Sequence, residues 1–178
     1  MTETYVNGLF GPQKCRTQPN DIYYTPEKLA KAIINYYKPN GNILEPCKGA
    51  GAFLKHLPEG SQYCEISEGI NFFEFTNKMD WIITNPPFSK LTAFMQQSFK
   101  LAKNVVFLIN VAALFSVKRI KIIEDSKCRI KEIRFVKQPE TFTQSGRIPG
   151  AVYFKKNYKG SIKLSYENNW RENYKSSK

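Results

Sequence analysis

The tetrad Asn85-Pro86-Pro87-Phe88 places an amide side chain, two imino acids and an aromatic ring directly after an apolar run. An aromatic amine such as the 6-amino group of adenine is a weak nucleophile, because its lone pair is delocalised into the ring. Two acceptors on its N–H bonds would localise that pair. Asn85 offers a side-chain oxygen and Pro86 a backbone carbonyl, whose direction the ring of Pro87 fixes. Phe88 can stack on a base, so the tetrad predicts a site that presents an exocyclic amine.

A glycine turn lies upstream, in the stretch LEPCKGAG. Gly49 and Gly51 follow a predicted strand and open a predicted helix, as a turn must where a ligand approaches the backbone closely. The third glycine of a dinucleotide fingerprint is absent, which argues against NAD. Taken alone, the turn is more typical of an ordinary strand-to-helix connection than of a ligand site.

Three polar or aromatic positions follow the turn at the ends of later elements. Glu65 comes 20 residues after Glu45, where a carboxylate can accept hydrogen bonds from a ribose diol. Asn71 can accept from an adenine amino group, and Phe72 can pack on the ring face. A solvated Glu65 and a core Phe72 are the alternatives. The order of Glu65, Asn71 and Phe72 at the ends of successive elements favours a nucleoside pocket.

The elements that must position these residues alternate between strand and helix patterns. Thr25 is the expected N-cap of the first helix and Pro26 its first residue. The alternation predicts an α/β parallel sheet whose last two strands form an antiparallel edge pair. Ligands bind such sheets at the carboxyl ends of strands. Predicted strands cover 42–46, 61–66, 80–85, 104–110, 129–136 and 151–156, with a short element at 69–75 and helices at 25–37, 52–57, 89–102 and 117–126.

Composition limits the functional classes. The 27 Lys and Arg exceed the 15 Asp and Glu, for a net charge of +12, which favours a polyanionic partner such as nucleic acid; a soluble protein from a lysine-rich proteome is the alternative. Four scattered cysteines and one histidine do not suit a zinc site or a disulfide framework. The N-terminus lacks a signal-peptide pattern and no apolar run reaches membrane-spanning length, so we expect a cytoplasmic protein without membrane contact.

Together, LEPCKGAG, YCEI, NFF and NPPF resemble the successive motifs of the S-adenosylmethionine-dependent amino-methyltransferases, especially the adenine-N6 enzymes. The stretch YYTPEKLAKAII resembles the additional cofactor-binding motif of many of these enzymes. The resemblance covers residues 23 to about 115. It implies a Rossmann-like class I fold with a mostly parallel seven-stranded sheet and an antiparallel edge hairpin. The expected organisation is an irregular arm over 1–22, a methyltransferase domain over 23–160 and a basic tail over 161–178.

The resemblance also assigns residues to a cofactor site and a target site. Asn85, Pro86, Pro87 and Phe88 would hold the amine, and direct transfer of the methyl group would need no nucleophilic cysteine. Asn71 stands where the family usually has Asp, and Lys48 crowds the glycine turn, so cofactor affinity is the property these departures affect. The implied cofactor residues are Tyr24, Thr25, Pro26, Glu45, Pro46, Gly49, Gly51, Glu65, Ile66, Asn71, Phe72 and Asn85.

The first hypothesis for the substrate is adenine N6 in DNA, followed by adenine in RNA. Methylation of a protein glutamine amide is less favoured by Phe88 and by the charge. A non-catalytic cofactor-binding subunit is a further alternative. A separate recognition domain does not fit this length, so we expect a partner subunit or a second copy to help recognise the target. Basic side chains expected to contact nucleic acid are Lys14, Arg16, Lys118, Arg119, Lys121 and Arg147.

Overall fold

The computed structural model describes residues 23–138 and 148–168, together with the backbone of two short strands near the N-terminus. These strands, β1 (Tyr5–Gly8) and β2 (Gly11–Lys14), pair antiparallel. The arm predicted over 1–22 is therefore not irregular throughout. Gly8 pairs with Gly11 at the last position of this ladder, and the pair was missed because neither strand carries the apolar alternation that predicts one.

Helix α1 spans Glu27–Tyr37 and buries one face, which carries Leu29, Ala30, Ile33 and Ile34. It ends at Lys38, whose left-handed backbone conformation closes the last turn. The prediction that Thr25 caps this helix is wrong. Pro26 occupies the cap position, where its ring has no atom to accept a hydrogen bond, and the Thr25 hydroxyl accepts from the side chain of Asn85.

A seven-stranded sheet forms the centre of the molecule, in the order β4-β3-β5-β6-β8-β7-β9. The first four strands in this order run parallel, β8 is antiparallel to both of its neighbours, and β9 is parallel to β7. The strands are β3 (Ile43–Glu45), β4 (Gln62–Tyr63), β5 (Met79–Thr84), β6 (Ala102–Asn110), β7 (Cys128–Phe135), β8 (Pro149–Lys156) and β9 (Lys163–Tyr166).

The second half of the sheet differs from the prediction in two ways. The expected antiparallel pair exists as β7 and β8, but it does not form the edge, since β9 pairs outside β7. Strand β9 lies in the segment predicted as a tail from 161. It was missed because KLSY is short and polar and is held by contacts that are distant in sequence. The short element predicted at 69–75 is a 3₁₀ turn over Phe72–Glu74 rather than a strand.

Three helices cover the sheet. Helices α2 (Leu91–Leu101) and α3 (Val117–Asp125) belong to the apolar cluster on one face, and α1 to the cluster on the other. The central strands are covered on both faces, which explains their unbroken apolar runs. None of the helices in the described ranges has both the length and the apolar character that crossing a bilayer requires. The parallel arrangement brings the carboxyl ends of β3, β4 and β5 to one edge, where the loops after them meet.

Candidate active site

A cavity of about 520 Å³ opens at this edge of the sheet, a size typical of small-molecule sites. It brings together the whole tetrad and every predicted cofactor residue except Pro26 and Gly51. Pro26 lies at the cap of α1 and Gly51 in the glycine turn, but neither lines the cavity. The lining residues that sequence analysis did not select are Tyr23, Cys47, Lys48, Ala50, Ala52, Phe53, Ser67, Ile70, Phe73, Lys90 and Phe94.

The side chain of Asn85 is held in one orientation. Its Nδ2 donates to the backbone carbonyl of Tyr23 at 3.0 Å and to the hydroxyl of Thr25 at 3.2 Å. A backbone carbonyl can only accept, so the NH₂ group must face Tyr23 and the amide cannot flip without losing that bond. Both amide hydrogens are thereby used within the protein. What Asn85 can offer to a ligand in the cavity is its oxygen, Oδ1, as an acceptor.

The rest of the tetrad forms a stiff corner between β5 and α2. Neither proline has an N–H to continue the sheet ladder, so the strand ends at Thr84. A single 3₁₀ turn over Phe88–Lys90 then leads into α2. The rings of Phe88 and Tyr23 lie 5.4 Å apart at an angle of 48°. The corner therefore places an oriented amide beside a pair of aromatic rings.

Cys47 links the glycine turn to this corner. Its Sγ lies 3.1 Å from the Thr84 hydroxyl and donates to the backbone carbonyl of Asn85 at 3.3 Å. Burial raises the pKa of the Cys47 thiol to about 12. The thiol is therefore protonated and unreactive at neutral pH, and its role is to join the two loops.

Glu65 organises the loops that follow β3 and β4. Its carboxylate accepts from the Gly49 N–H at 2.7 Å, from the Ser67 N–H at 3.1 Å and from the Ser67 hydroxyl at 2.8 Å. Burial opposes ionisation, but these hydrogen bonds outweigh it and hold the pKa of Glu65 below its usual range. A carboxylate has about four acceptor positions. To take both hydroxyls of a diol, Glu65 would have to release the Ser67 hydroxyl, which is free to rotate.

Asn71 and Phe72 combine local structural contacts with a place in the cavity wall. Asn71 Oδ1 accepts from the Phe73 N–H at 3.1 Å and so caps the 3₁₀ turn. A carbonyl oxygen has two lone pairs, so one acceptor position remains. Phe72 is buried and packs against Phe94 with ring centroids 5.0 Å apart. The core alternative therefore describes Phe72 correctly, although the residue also lines the cavity.

Glu45 is the most unusual polar group of the site. It is 2% exposed, and within the described part of the chain its Oε2 is buried without a hydrogen-bond partner. Burial raises the pKa of Glu45 to about 8, although the Leu54 N–H and the charge of Lys48 act in the opposite direction. Buried carboxyl oxygens are almost always satisfied. An unsatisfied one in a cavity wall is what a cationic or hydrogen-bonding ligand would complete.

Lys48 does not serve Glu45 directly. Its ammonium pairs with Glu68 and lies 4.4 Å from the centre of the Tyr63 ring. The side chain that was expected to crowd the glycine turn is thus directed along the cavity wall, where it clamps the loop after β3 to the loop after β4. No spacing rule selects Lys48 as a cavity residue. Tyr23 was missed because the group that accepts from Asn85 is its backbone carbonyl, which every residue has.

The basic residues predicted to contact nucleic acid fall into three groups. Lys118 and Lys121 are exposed on α3. Arg119 is half-buried, and its guanidinium donates to the Thr92 hydroxyl at 3.1 Å and to the carbonyl of Ala113. It fastens the loop before α3 onto α2. Lys14 lies in β2, where only the backbone is described, while Arg16 and Arg147 lie outside the described residues.

No protein-family model and no curated protein sequence matches this chain, but solved structures share its fold. A proposed class I S-adenosylmethionine-dependent methyltransferase from Listeria monocytogenes superimposes with a TM-score of 0.63 at 13% identity, over 87% of this chain and 69% of that one. A proposed type I restriction enzyme modification subunit from Vibrio vulnificus gives 0.56 at 17% identity, over 79% and 45%. A proposed RNA methyltransferase from Pyrococcus horikoshii gives 0.57 at 15% identity, over 76% and 87%.

These likenesses confirm the predicted fold class. The chain has the Rossmann-like class I methyltransferase fold with a mostly parallel seven-stranded sheet. It spans less than half of the length of the Vibrio vulnificus modification subunit. At these identities the likeness concerns the fold, so activity and substrate must be argued from the cavity itself.

Proposed function

We propose that the protein transfers a methyl group from S-adenosylmethionine to the exocyclic N6 amine of adenine in DNA. The observation that carries this proposal is the fixed orientation of Asn85. Because its NH₂ group is committed to Tyr23 and Thr25, the side chain presents an acceptor, and an acceptor is what an incoming amine requires.

The cavity suits the proposed cofactor in three respects. Its volume of about 520 Å³ is in the range for a ligand of nucleoside size or larger. Glu65 at one wall can accept from a ribose diol, next to Asn71 and Phe72. The unsatisfied Oε2 of Glu45 at another wall can accept from the amino group of a methionine moiety. When bound, S-adenosylmethionine supplies a methyl group that its sulfonium already activates.

The protein would then contribute mainly position and environment. Asn85 Oδ1 and the carbonyl of Pro86 accept from the two N–H bonds of the amine, which draws its lone pair out of the ring. Phe88 and Tyr23 offer ring faces to the base. Holding the amine in line with a methyl donor and excluding water supply most of the rate enhancement available to such a site. The proton leaves late, to water, and Cys47 takes no part because its thiol is neutral.

Adenine in RNA is the second candidate, because the same fold occurs in the proposed RNA methyltransferase from Pyrococcus horikoshii. Structural likeness to proposed type I modification subunits favours DNA and also favours a further chain that helps recognise the target. We propose either a partner subunit or a second copy in that role. The net charge of +12 supports a polyanionic substrate over a protein one.

The test is methyl transfer from tritiated S-adenosylmethionine to separate pools of DNA, RNA and protein, followed by digestion and mass spectrometry of the modified nucleoside. We expect N6-methyladenine from the DNA pool. Asn85→Ala should lower the rate by at least about 100-fold, the usual cost of removing an acceptor or donor from a reacting centre.

Calorimetry with S-adenosylmethionine measures how much of the loss in Asn85→Ala is cofactor binding, because Asn85 is also an implied cofactor residue; the rate should stay lowered at a saturating cofactor concentration. Label found only in protein would remove both nucleic-acid substrates. Binding without transfer to any pool would favour the non-catalytic subunit, and full activity in Asn85→Ala would defeat the assignment of the amide.

A further inference from the structure

Two large apolar side chains stand exposed after β6, on the side of the sheet where the cavity opens. Phe115 is 62% exposed and Val117 is 86% exposed. We refer to residues 115–117 as the apolar ridge. Single exposed apolar residues are common on protein surfaces. The ridge needs further explanation because the protein holds it firmly in this exposed position.

Hydrogen bonds on both sides fix the ridge. Before it, Asn110 Oδ1 accepts from the Ala112 N–H at 3.3 Å and from the Ile148 N–H at 3.2 Å. After it, the Ser116 hydroxyl accepts from the Arg119 N–H at 3.4 Å and caps α3. The Arg119 guanidinium adds a bond to the carbonyl of Ala113 within the loop. The backbone that presents Phe115 and Val117 is therefore secured by polar contacts, although the two side chains gain little burial from it.

The ridge is next to the proposed target site. Strands β5 and β6 are parallel neighbours, with Thr84 opposite Phe107, so the tetrad and the loop after β6 emerge side by side. Arg119 Nε donates to the Thr92 hydroxyl at 3.1 Å, and Thr92 lies four residues after Phe88. Arg119, which supports the ridge, is thus bonded to α2, the helix that follows the tetrad.

Cations accompany the apolar side chains. Lys118 is exposed directly after Val117, and Lys90 lines the cavity after the tetrad. A surface that combines exposed apolar groups with neighbouring ammonium groups matches a nucleic acid strand, in which unstacked base faces lie between phosphates. A purely apolar protein partner would leave these cations without counter-charges.

We propose that the apolar ridge contacts the bases that flank the target adenine, while Lys118 contacts a neighbouring phosphate. This inference rests on the proposed function. An adenine that enters the cavity must leave its stack, which exposes the faces of its neighbours to water. Apolar side chains inserted at such a step cover those faces and compensate part of the unstacking cost. The ridge would thereby favour the extruded state of the target.

The test is steady-state methyl transfer to unmethylated DNA of mixed sequence by the wild type, Phe115→Ser, Phe115→Trp and Lys118→Ala. We expect Phe115→Ser to raise KM about 10-fold, as loss of a stacking contact does, with S-adenosylmethionine affinity unchanged by calorimetry. Phe115→Trp should restore KM, because indole stacks at least as well. Lys118→Ala should reduce the slope of log affinity against log salt by about one, whereas Phe115→Ser should leave that slope unchanged.

Leu164→Ser is the matched control, since Leu164 is 56% exposed on β9, on the outer edge of the sheet away from the cavity. It should leave KM unchanged, and all variants should melt within a few degrees of the wild type. If the wild type methylates DNA but Phe115→Ser has an unchanged KM, the inference about the ridge is overturned while the proposed function stands. A fall in oligomeric mass on that substitution would also overturn it and identify a self-association surface. Wild type that methylates no nucleic acid would remove the proposed function, and this inference with it.

Discussion

Glu45 and Glu132 are two buried carboxyl groups in the same sheet with opposite surroundings. They are 2% and 6% exposed. Glu132 Oε1 accepts from the Tyr36 hydroxyl at 2.7 Å and from the Ser165 hydroxyl at 2.6 Å, and lies 3.1 Å from the Lys163 ammonium. Burial opposes its ionisation, yet these partners hold the pKa of Glu132 below its usual range. Burial raises the pKa of Glu45 to about 8.

This difference distinguishes a carboxyl group that stabilises the fold from one that could bind a ligand. Around Glu132 the chain supplies two hydroxyls and an ammonium, and these partners fasten β9 and α1 to β7. Around Glu45 it leaves one oxygen unsatisfied in a cavity wall. His56 Nε2 and Ser98 Oγ are also buried without a partner in the described residues, but of the three residues only Glu45 lines the cavity, where a ligand could complete it. Glu45 and Glu132 are thus similarly buried but have different roles, one toward a ligand and one in the fold.

Glu45→Gln gives the largest expected effect. If Glu45 binds the amino group of the proposed cofactor as a carboxylate, the ligand must first lower its pKa from about 8. Replacing that carboxylate with an amide should then weaken S-adenosylmethionine affinity by roughly 10- to 100-fold, since hydrogen bonds to charged groups contribute about 1.5–3 kcal/mol. Stability should not fall, because the substitution removes a poorly solvated carboxyl group. Calorimetry and thermal melting measure both quantities. Unchanged affinity would show that Glu45 has no ligand role.

Glu132→Ala should have the reverse pattern. It leaves the Tyr36 and Ser165 hydroxyls and the Lys163 ammonium without their acceptor, and we expect the free energy of unfolding to fall by about 2 kcal/mol. Denaturant melts measure this loss. S-adenosylmethionine affinity should remain within two-fold of the wild type. A stable variant with impaired binding would contradict the division between the two carboxyl groups.

A smaller effect concerns pH. The folded pKa of Glu45, about 8, is above the unfolded value of 4.5, so the ligand-free folded state binds more protons between these values and its stability should decline as pH rises from 4.5 to 8. Glu132 acts oppositely: its lowered pKa stabilises the fold above pH 4.5, and this contribution is lost in acid. Chemical denaturation across this range should show that Glu45→Gln removes the decline. An equal decline in that variant would assign it to other groups.

The sequence was most informative where chemistry requires a particular residue type. The tetrad and the glycine turn were located because prolines restrict the backbone and glycines adopt conformations that few other residues can. Glu65 and Asn71 followed from their places at the ends of elements. The structure then brought these groups to one cavity, as the parallel alternation of strands and helices predicted.

What escaped prediction depends on contacts distant in sequence. The Tyr23 carbonyl that orients Asn85 has no side-chain signature, and the bond from the Asn85 amide to the Thr25 hydroxyl could not be foreseen from their separation in sequence. Strand β9 is held by Lys163 and Ser165 through Glu132, a network that no local pattern encodes. The orphaned oxygen of Glu45 can be recognised only when every neighbour has been placed.

The thiol of Cys47 couples the two halves of the cavity. It donates to the backbone of Asn85, so a ligand that steadies the glycine turn also steadies the corner beyond it, at no cost in new contacts. Thermodynamic reciprocity makes this effect mutual. The coupling is therefore the same whichever molecule binds first, and it depends on the hydrogen bond that one sulfur atom makes.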